Sequence, residues 1–232
     1  MTYSIIARCA RTGRLGVATA TSDMAVGARV PWVRSGVGAT VTQHRTDPRL
    51  GPRMLDVLAA GATAADAVRA TVGSTPDAVW RQLAAIGVTG PAAAFTGERI
   101  DASAATTVLA DDHAVVGNIL ATPEVGPAVS AAFLADPSAE LAARLVAALE
   151  AGLAAGGEDD PLRSAALVVH GEQPFPLVDL RVDDHGEPLT ELRRLWEMYA
   201  PSVGEYVRRA LLPDGATGLA PVAEGGVGVR GA

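Results

Sequence analysis

Thr2, directly behind Met1, is a residue whose position alone could supply chemistry. A small residue there normally permits removal of an initiator methionine, leaving Thr2 with a free α-amine of ordinary pKa about 7.7–8.0. Such an amine can take the proton from its own hydroxyl, so nucleophile and base reside in one residue. Many chains begin Met-Thr without that use, so the dipeptide needs support from elsewhere. Asp183-Asp184-His185 sets two acids beside an imidazole at a predicted strand-to-helix turn. It could be an acid/base pair or part of a metal site, but it reads more readily as the cap of a helix opening near Pro188. Glu158-Asp159-Asp160 follows Gly156-Gly157 and could hold a divalent ion, although such runs more often form a solvated loop face. The four histidines (His44, His113, His170, His185) are too scattered for two to share a helix face. Gly36-Val37-Gly38 lacks the third glycine of a dinucleotide fingerprint and leads into a strand. A Gly-x-Ser-x-Gly nucleophile elbow is absent.

The composition narrows the classes further. The chain has 232 residues, 49% apolar and 19% charged, with a net charge of −7. That suits one large domain, or a domain with a tail, and excludes wholesale disorder. The acidic balance argues against nucleic acid as a partner, because phosphate contact needs a concentrated positive face. All nineteen basic residues are arginine. A lysine Schiff base, a phosphate-loop lysine and a lysine general base are therefore excluded. Cys9 is the one cysteine, which rules out an intrachain disulfide or a thiolate zinc cluster. The N-terminus lacks the charged start and apolar run of a secretory signal, and no stretch of about eighteen apolar residues occurs. A cytoplasmic chain without a membrane partner is the expectation.

The elements that must position Thr2 follow from pattern. Residues 2–7 and 15–21 read as a hairpin turning at Thr12-Gly13-Arg14, and 36–43 as a further strand after a loop around Pro31. Small side chains on these strands would let another layer approach closely, which favours packed sheets over one exposed meander. A helix is predicted over 50–60, and Thr63 reads as the N-cap of another over 64–72, with Asp66 in its first turn. Strands are predicted over 83–88, 92–96, 106–110 and 114–118. Helices follow over 123–134 and 138–153, the second with Glu140 near its start and Gly152 near its end. Strands over 164–170 and 177–182 precede helices over 188–199 and 203–212. From Pro213 the chain becomes glycine-rich and reads as a mobile tail. Period two places Ser4 on the same strand face as Thr2.

Several blocks together resemble one family. They are Met1-Thr2-Tyr3-Ser4-Ile5-Ile6-Ala7-Arg8, Gly16-Val17-Ala18, Ala25-Val26-Gly27-Ala28-Arg29-Val30-Pro31-Trp32 and Gly36-Val37-Gly38-Ala39. Agreement continues at Thr42-Gln43, Ala93-Ala94-Phe95-Thr96-Gly97, Gly117-Asn118-Ile119-Leu120-Ala121, Glu150-Ala151-Gly152 and Ser164-Ala165-Ala166. It ends at Val178-Asp179-Leu180-Arg181-Val182-Asp183-Asp184-His185. The chain is similar to domain-of-unknown-function family 1028, whose members resemble N-terminal-nucleophile hydrolases. That resemblance implies an α+β fold, a four-layer αββα sandwich of two antiparallel sheets over residues 1–200. Residues 201–232 would add a short helix and the tail.

The resemblance further implies that Thr2 attacks a carbon–nitrogen amide bond, with Ser4, Thr21 and Ser22 beside it. Arg29, Gln43, Asn118, Glu158, Asp159, Asp183 and His185 would meet the substrate, with no metal and no cofactor. The substrate would be a small nitrogenous metabolite, a linear amide or ureide, and the chain a homodimer or larger homo-oligomer. Thr21-Ser22 stands where the family often has Ser followed by Lys or Arg, and Asp160 where it usually has Arg. Those departures motivate the alternative of a catalytically idle fold that binds a small molecule or a protein.

Overall fold

A computed structural model of the chain describes residues 1–216. Its strands are β1 Thr2–Arg8, β2 Leu15–Thr21, β3 Pro31–Arg34, β4 Gly38–His44, β5 Arg81–Gly87, β6 Ala93–Thr96, β7 Ala105–Leu109, β8 His113–Asn118, β9 Ser164–His170 and β10 Pro176–Val182. The α-helices are α1 Leu50–Ala59, α2 Ala64–Gly73, α3 Val125–Ala135, α4 Leu141–Ala154, α5 Pro188–Tyr199 and α6 Val203–Leu211. The fold is mixed α+β with two antiparallel sheets. One sheet has the order β10-β9-β2-β1-β8-β7 and the other β3-β4-β5-β6. β1 lies at the centre of the larger sheet, with Ser4 facing Thr19 on β2 and Val116 on β8.

Strand alternation sorts side chains into three apolar layers. Tyr3, Ile5 and Ala7 of β1 point toward α3 and α4, where they meet Val129, Phe133, Leu145 and Leu149. The other face of the strand carries Ile6, which joins Val17, Val41, Ala84, Ile86, Ala114 and Val116 between the two sheets. Leu83 and Ala85 of β5 point outward from the smaller sheet to Met54, Leu55 and Leu58 of α1 and Ala67 and Val68 of α2. Both faces of each sheet are thus covered, which is why β1, β2 and β8 read as nearly unbroken runs of buried residues.

The elements agree with their predicted positions to within a few residues, with two differences, at Pro31–Arg34 and at the turn before α5. Pro31–Arg34 is an edge strand instead of loop. Proline at its first position is tolerated there because an edge strand leaves half its N–H groups unpaired. Gly152 lies near the end of α4, as expected; a Cβ there would meet Val129 Cγ2 at 2.7 Å and Tyr3 Cε2 at 2.9 Å, so the glycine lets the helix approach β1. The turn before α5 is not capped by an Asp183 or Asp184 side chain: His185 Nδ1 accepts the Glu187 N–H at 3.0 Å. The predicted tail falls largely on residues 217–232, outside the described residues. Thr63 caps α2 as the sequence indicates, in a reciprocal capping box with Asp66.

Candidate active site

Toward one end of the sheets the layer between them turns from aliphatic to polar. On β1 the inward series runs Ile6, Ser4, Thr2; on β2 Val17, Thr19, Thr21; on β4 Val41, Gln43; on β5 Ile86, Ala84, Gln82; on β8 Ala114, Val116, Asn118. All of these polar side chains are buried. Polar groups withdrawn from water must pair with one another, and here they do so in a chain. Ser4 Oγ lies 2.7 Å from both Thr19 Oγ1 and Gln43 Oε1. Its single proton goes to the amide oxygen, so Thr19 must donate to Ser4. Gln43 Nε2 donates to Gln82 Oε1 at 2.8 Å, and Asn118 Nδ2 donates to the same oxygen at 2.9 Å. Gln82 Nε2 in turn donates to the Gly117 carbonyl at 2.9 Å.

This network ends at Thr2. Asn118 is its direct partner across β8, and Gln43 Nε2 lies 3.4 Å from its carbonyl oxygen. On the other side Thr2 Oγ1 is 3.3 Å from Thr21 Oγ1. Both hydroxyls reach the Met1 carbonyl, which leaves Thr2 only 5% exposed. Beyond Thr21, the Ser22 N–H donates to Glu158 Oε2 at 2.9 Å. Glu158 is brought there by the loop after α4, whose backbone bridges Leu120 just past β8. Burial pushes the Glu158 carboxyl up to about 7; Ser22 and the Met1 α-amine oppose the rise, while Asp23 adds to it.

Two acceptor oxygens in this group are buried without a partner: Asn118 Oδ1 and Glu158 Oε1. Such atoms are rare because each forfeits the solvation it had in water. Two residues that end the neighbouring strands, His44 after Gln43 and Ile119 after Asn118, have φ of +71° and +54°. Backbone held in the left-handed region without glycine is concentrated at functional sites.

Of the residues expected at the site, Thr2, Ser4, Thr21, Ser22, Gln43, Asn118 and Glu158 converge. The others do not. Arg29 donates to the Met24 and Ala25 carbonyls at 2.7 and 3.2 Å and ties down its own turn. Asp159 is exposed. Asp183 is paired with Arg181, and His185 is exposed beside α5. β10 is three strand positions from β1, a separation of roughly 14 Å at the usual strand spacing. Among the described residues no three His, Cys, Asp or Glu side chains could jointly hold a metal ion. Glu158 corrects the reading of its acidic run as a solvated face: the first acid is buried, and Asp159 and Asp160 alone are exposed.

Gln82 and Thr19 were not singled out from sequence. The signal for Gln82 is a polar residue in register with the inward positions of Gln82-Leu83-Ala84-Ala85-Ile86. Replacing Gln82 with alanine strands the Asn118 amide donor, leaves Gln43 Nε2 only its longer bonds to the Val116 and Thr2 carbonyls, and opens a cavity. A loss of about 3 kcal/mol is expected, read as a lower urea midpoint at unchanged slope.

A second polar group lies at the opposite end of β8. His113 has Nδ1 2.8 Å from Asp112 and Nε2 2.8 Å from Ser130, the spacing of a nucleophile–base–acid relay. Ser130 sits within α3, whose backbone N–H groups are committed to the helix, so no donors remain there for an oxyanion. Packed on Phe133 at 4.9 Å, His113 is a buried histidine satisfied on both nitrogens. A groove of about 670 Å³ also lies away from Thr2, lined by Arg14, Glu140, Gly171, Trp196 and Val203.

Comparison with known proteins places the chain. A crystal structure of a Silicibacter pomeroyi protein assigned to DUF1028 is 32% identical and superposes with a TM-score of 0.81 over 90% of this chain and 94% of that one. Anbu (ancestral beta-subunit) from Yersinia bercovieri is 10% identical, with a TM-score of 0.42 over 88% of this chain and 97% of that one. None of the curated proteins matches. The model of the Family of unknown function (DUF1028) matches residues 2–192, and the chain belongs to that family.

Proposed function

We propose that the chain is an N-terminal-nucleophile amidohydrolase built on a four-layer αββα sandwich, with Thr2 as nucleophile once Met1 is removed. Its substrate is a small amide or ureide. The α-amine of Thr2 takes the proton from Oγ1 as that oxygen attacks the substrate carbonyl. The tetrahedral intermediate collapses as the same amine returns the proton to the leaving nitrogen, and the carbon–nitrogen bond breaks. Water then hydrolyses the ester on Thr2, with the amine again acting as base.

The observation that carries this reading is the pair of unpartnered buried acceptors beside Thr2. Removal of Met1 places an amine, with up to three N–H donors, directly across from Asn118 and near Glu158. It also frees the Thr2 and Thr21 hydroxyls from the Met1 carbonyl and uncovers the nucleophile. Gln43 reaches the Thr2 carbonyl and is itself held by Ser4, which makes both positioning residues.

Intact mass and N-terminal sequencing of the protein from its native host test the first step. The expected chain begins at Thr2 and releases amine or ammonia from members of a small-amide panel. A chain that keeps Met1 would sink the mechanism, because an acylated nitrogen is not a base; the fold would then serve as a binding module.

A further inference from the structure

We infer that Arg45, Arg81 and Arg99, gathered around Trp80, form an anion subsite that takes a carboxylate carried by the amide substrate. The assignment rests on the reading of Thr2 as nucleophile and adds to it a class of substrate, an amide bearing a second, anionic end.

What sets these arginines apart is that three without an acid gather around one ring. In a chain of net charge −7, most guanidinium groups could find an acid. None of these three forms an ion pair among the described residues. Asp47 is close, but both of its oxygens are taken by Arg49 at 2.9 and 2.7 Å. Arg81 is half-buried, its Nη1 donates to the Arg45 carbonyl, and its Nε is buried with no acceptor. A buried guanidinium N–H without a partner is costly, and a planar carboxylate is the group that best fits that fork. Arg45 and Arg99 are exposed, yet each stands over Trp80, with Cζ 5.0 and 5.8 Å from the ring centroid. Cation–π contact holds these side chains in place before any ligand arrives.

The cluster lies at the same end of the sheets as the nucleophile. Gln43 touches Thr2, and His44 and Arg81, paired across the smaller sheet, are the next residues on β4 and β5. Strand alternation starts Arg81 on the outer face with Leu83 and Ala85, and the left-handed backbone of His44 (φ +71°) breaks the alternation where β4 ends. His44 stacks parallel to Trp80 at 6.4 Å and donates Nδ1–H to the Trp80 carbonyl at 3.0 Å. Burial holds its pKa below the ordinary value; the hydrogen bond to Trp80 opposes this, while the Met1 α-amine and the two neighbouring arginines add to it.

Binding of glutarate, measured by calorimetry on the Thr2→Ala chain, tests the subsite without any turnover. Saturable binding is expected, weakened at least about tenfold in Arg81→Gln, as for loss of a charge-assisted hydrogen bond. The neutral diamide of glutarate should bind at least about tenfold more weakly than glutarate, and added salt should weaken glutarate alone. Arg99→Gln, at an exposed position that cannot unfold the protein, should also weaken binding. Equal affinity of glutarate for all variants, or no saturable binding, overturns the subsite. Because Thr2 is already replaced, a wrong nucleophile assignment leaves the result unchanged, and a negative result leaves the Thr2 chemistry standing.

Discussion

Thr2→Ala will lose at least about 10⁴-fold in amide turnover, the scale on which removal of a covalent nucleophile is felt, with thermal stability nearly unchanged. The second half of that expectation follows from the contacts. The Thr2 hydroxyl has a long bond of 3.3 Å to Thr21 Oγ1 and a contact to Met1, which the proposed processing removes. Losing such a bond costs about 1 kcal/mol or less. Alanine at position 2 still permits methionine removal, so the variant differs from the wild type in one oxygen and one methyl group. Thr2→Ser should keep a measurable part of the activity, since amine and hydroxyl remain in one residue. Thr2→Val, which keeps the shape and loses the oxygen, should be as inactive as alanine. Steady-state release of the amine product together with a melting curve separates these outcomes. Full activity in Thr2→Ala would move the chemistry elsewhere in the molecule.

How far the sequence revealed this arrangement depended on how local each signal was. The β1–β2 hairpin and the α2 capping box are local, and both were legible, because a turn or a cap is specified by residues a few positions apart. Gln43 and Asn118 were legible through family resemblance, but their role in a single hydrogen-bonded chain was not. It depends on Gln82, which arrives from β5 of the other sheet. The family resemblance set Glu158 at the site, whereas its acidic run alone pointed to solvent, because acids beside glycines usually face water. Only the bridge to Leu120 folds its backbone against the end of β8. Asp183 and His185 show the converse. Their clustering in sequence suggested chemistry, but β9 and β2 stand between them and Thr2, and Asp183 is neutralised by Arg181 two residues away.

Glu158→Gln should trade activity for stability, and the trade should depend on pH. A carboxyl whose pKa is higher folded than unfolded favours folding while it is protonated. For Glu158 that contribution is complete below about 4.5 and is lost as pH rises through about 7, because the folded protein must then hold a buried carboxylate. A rise from 4.5 to about 7 corresponds to roughly 3 kcal/mol at most. Glutamine has nearly the same shape, can accept the Ser22 N–H and carries no charge to desolvate. Urea unfolding should therefore show wild type and variant matched near pH 4, with the variant more stable near pH 8 by up to that amount. Turnover should move the other way, falling by about 10²–10³, the range for loss of a group that assists proton transfer. A carboxylate beside the α-amine keeps a proton available to the pair that the amide cannot supply, so the acid limb of the wild-type pH profile, near 7, should shift in the variant. Unchanged turnover would make Glu158 a structural acid. A stability difference that does not vary between pH 4 and pH 8 would mean that the carboxyl does not titrate where its burial places it. If both expected changes occur, the protein keeps at position 158 a residue that weakens its fold, and the proton it holds beside Thr2 is the reason.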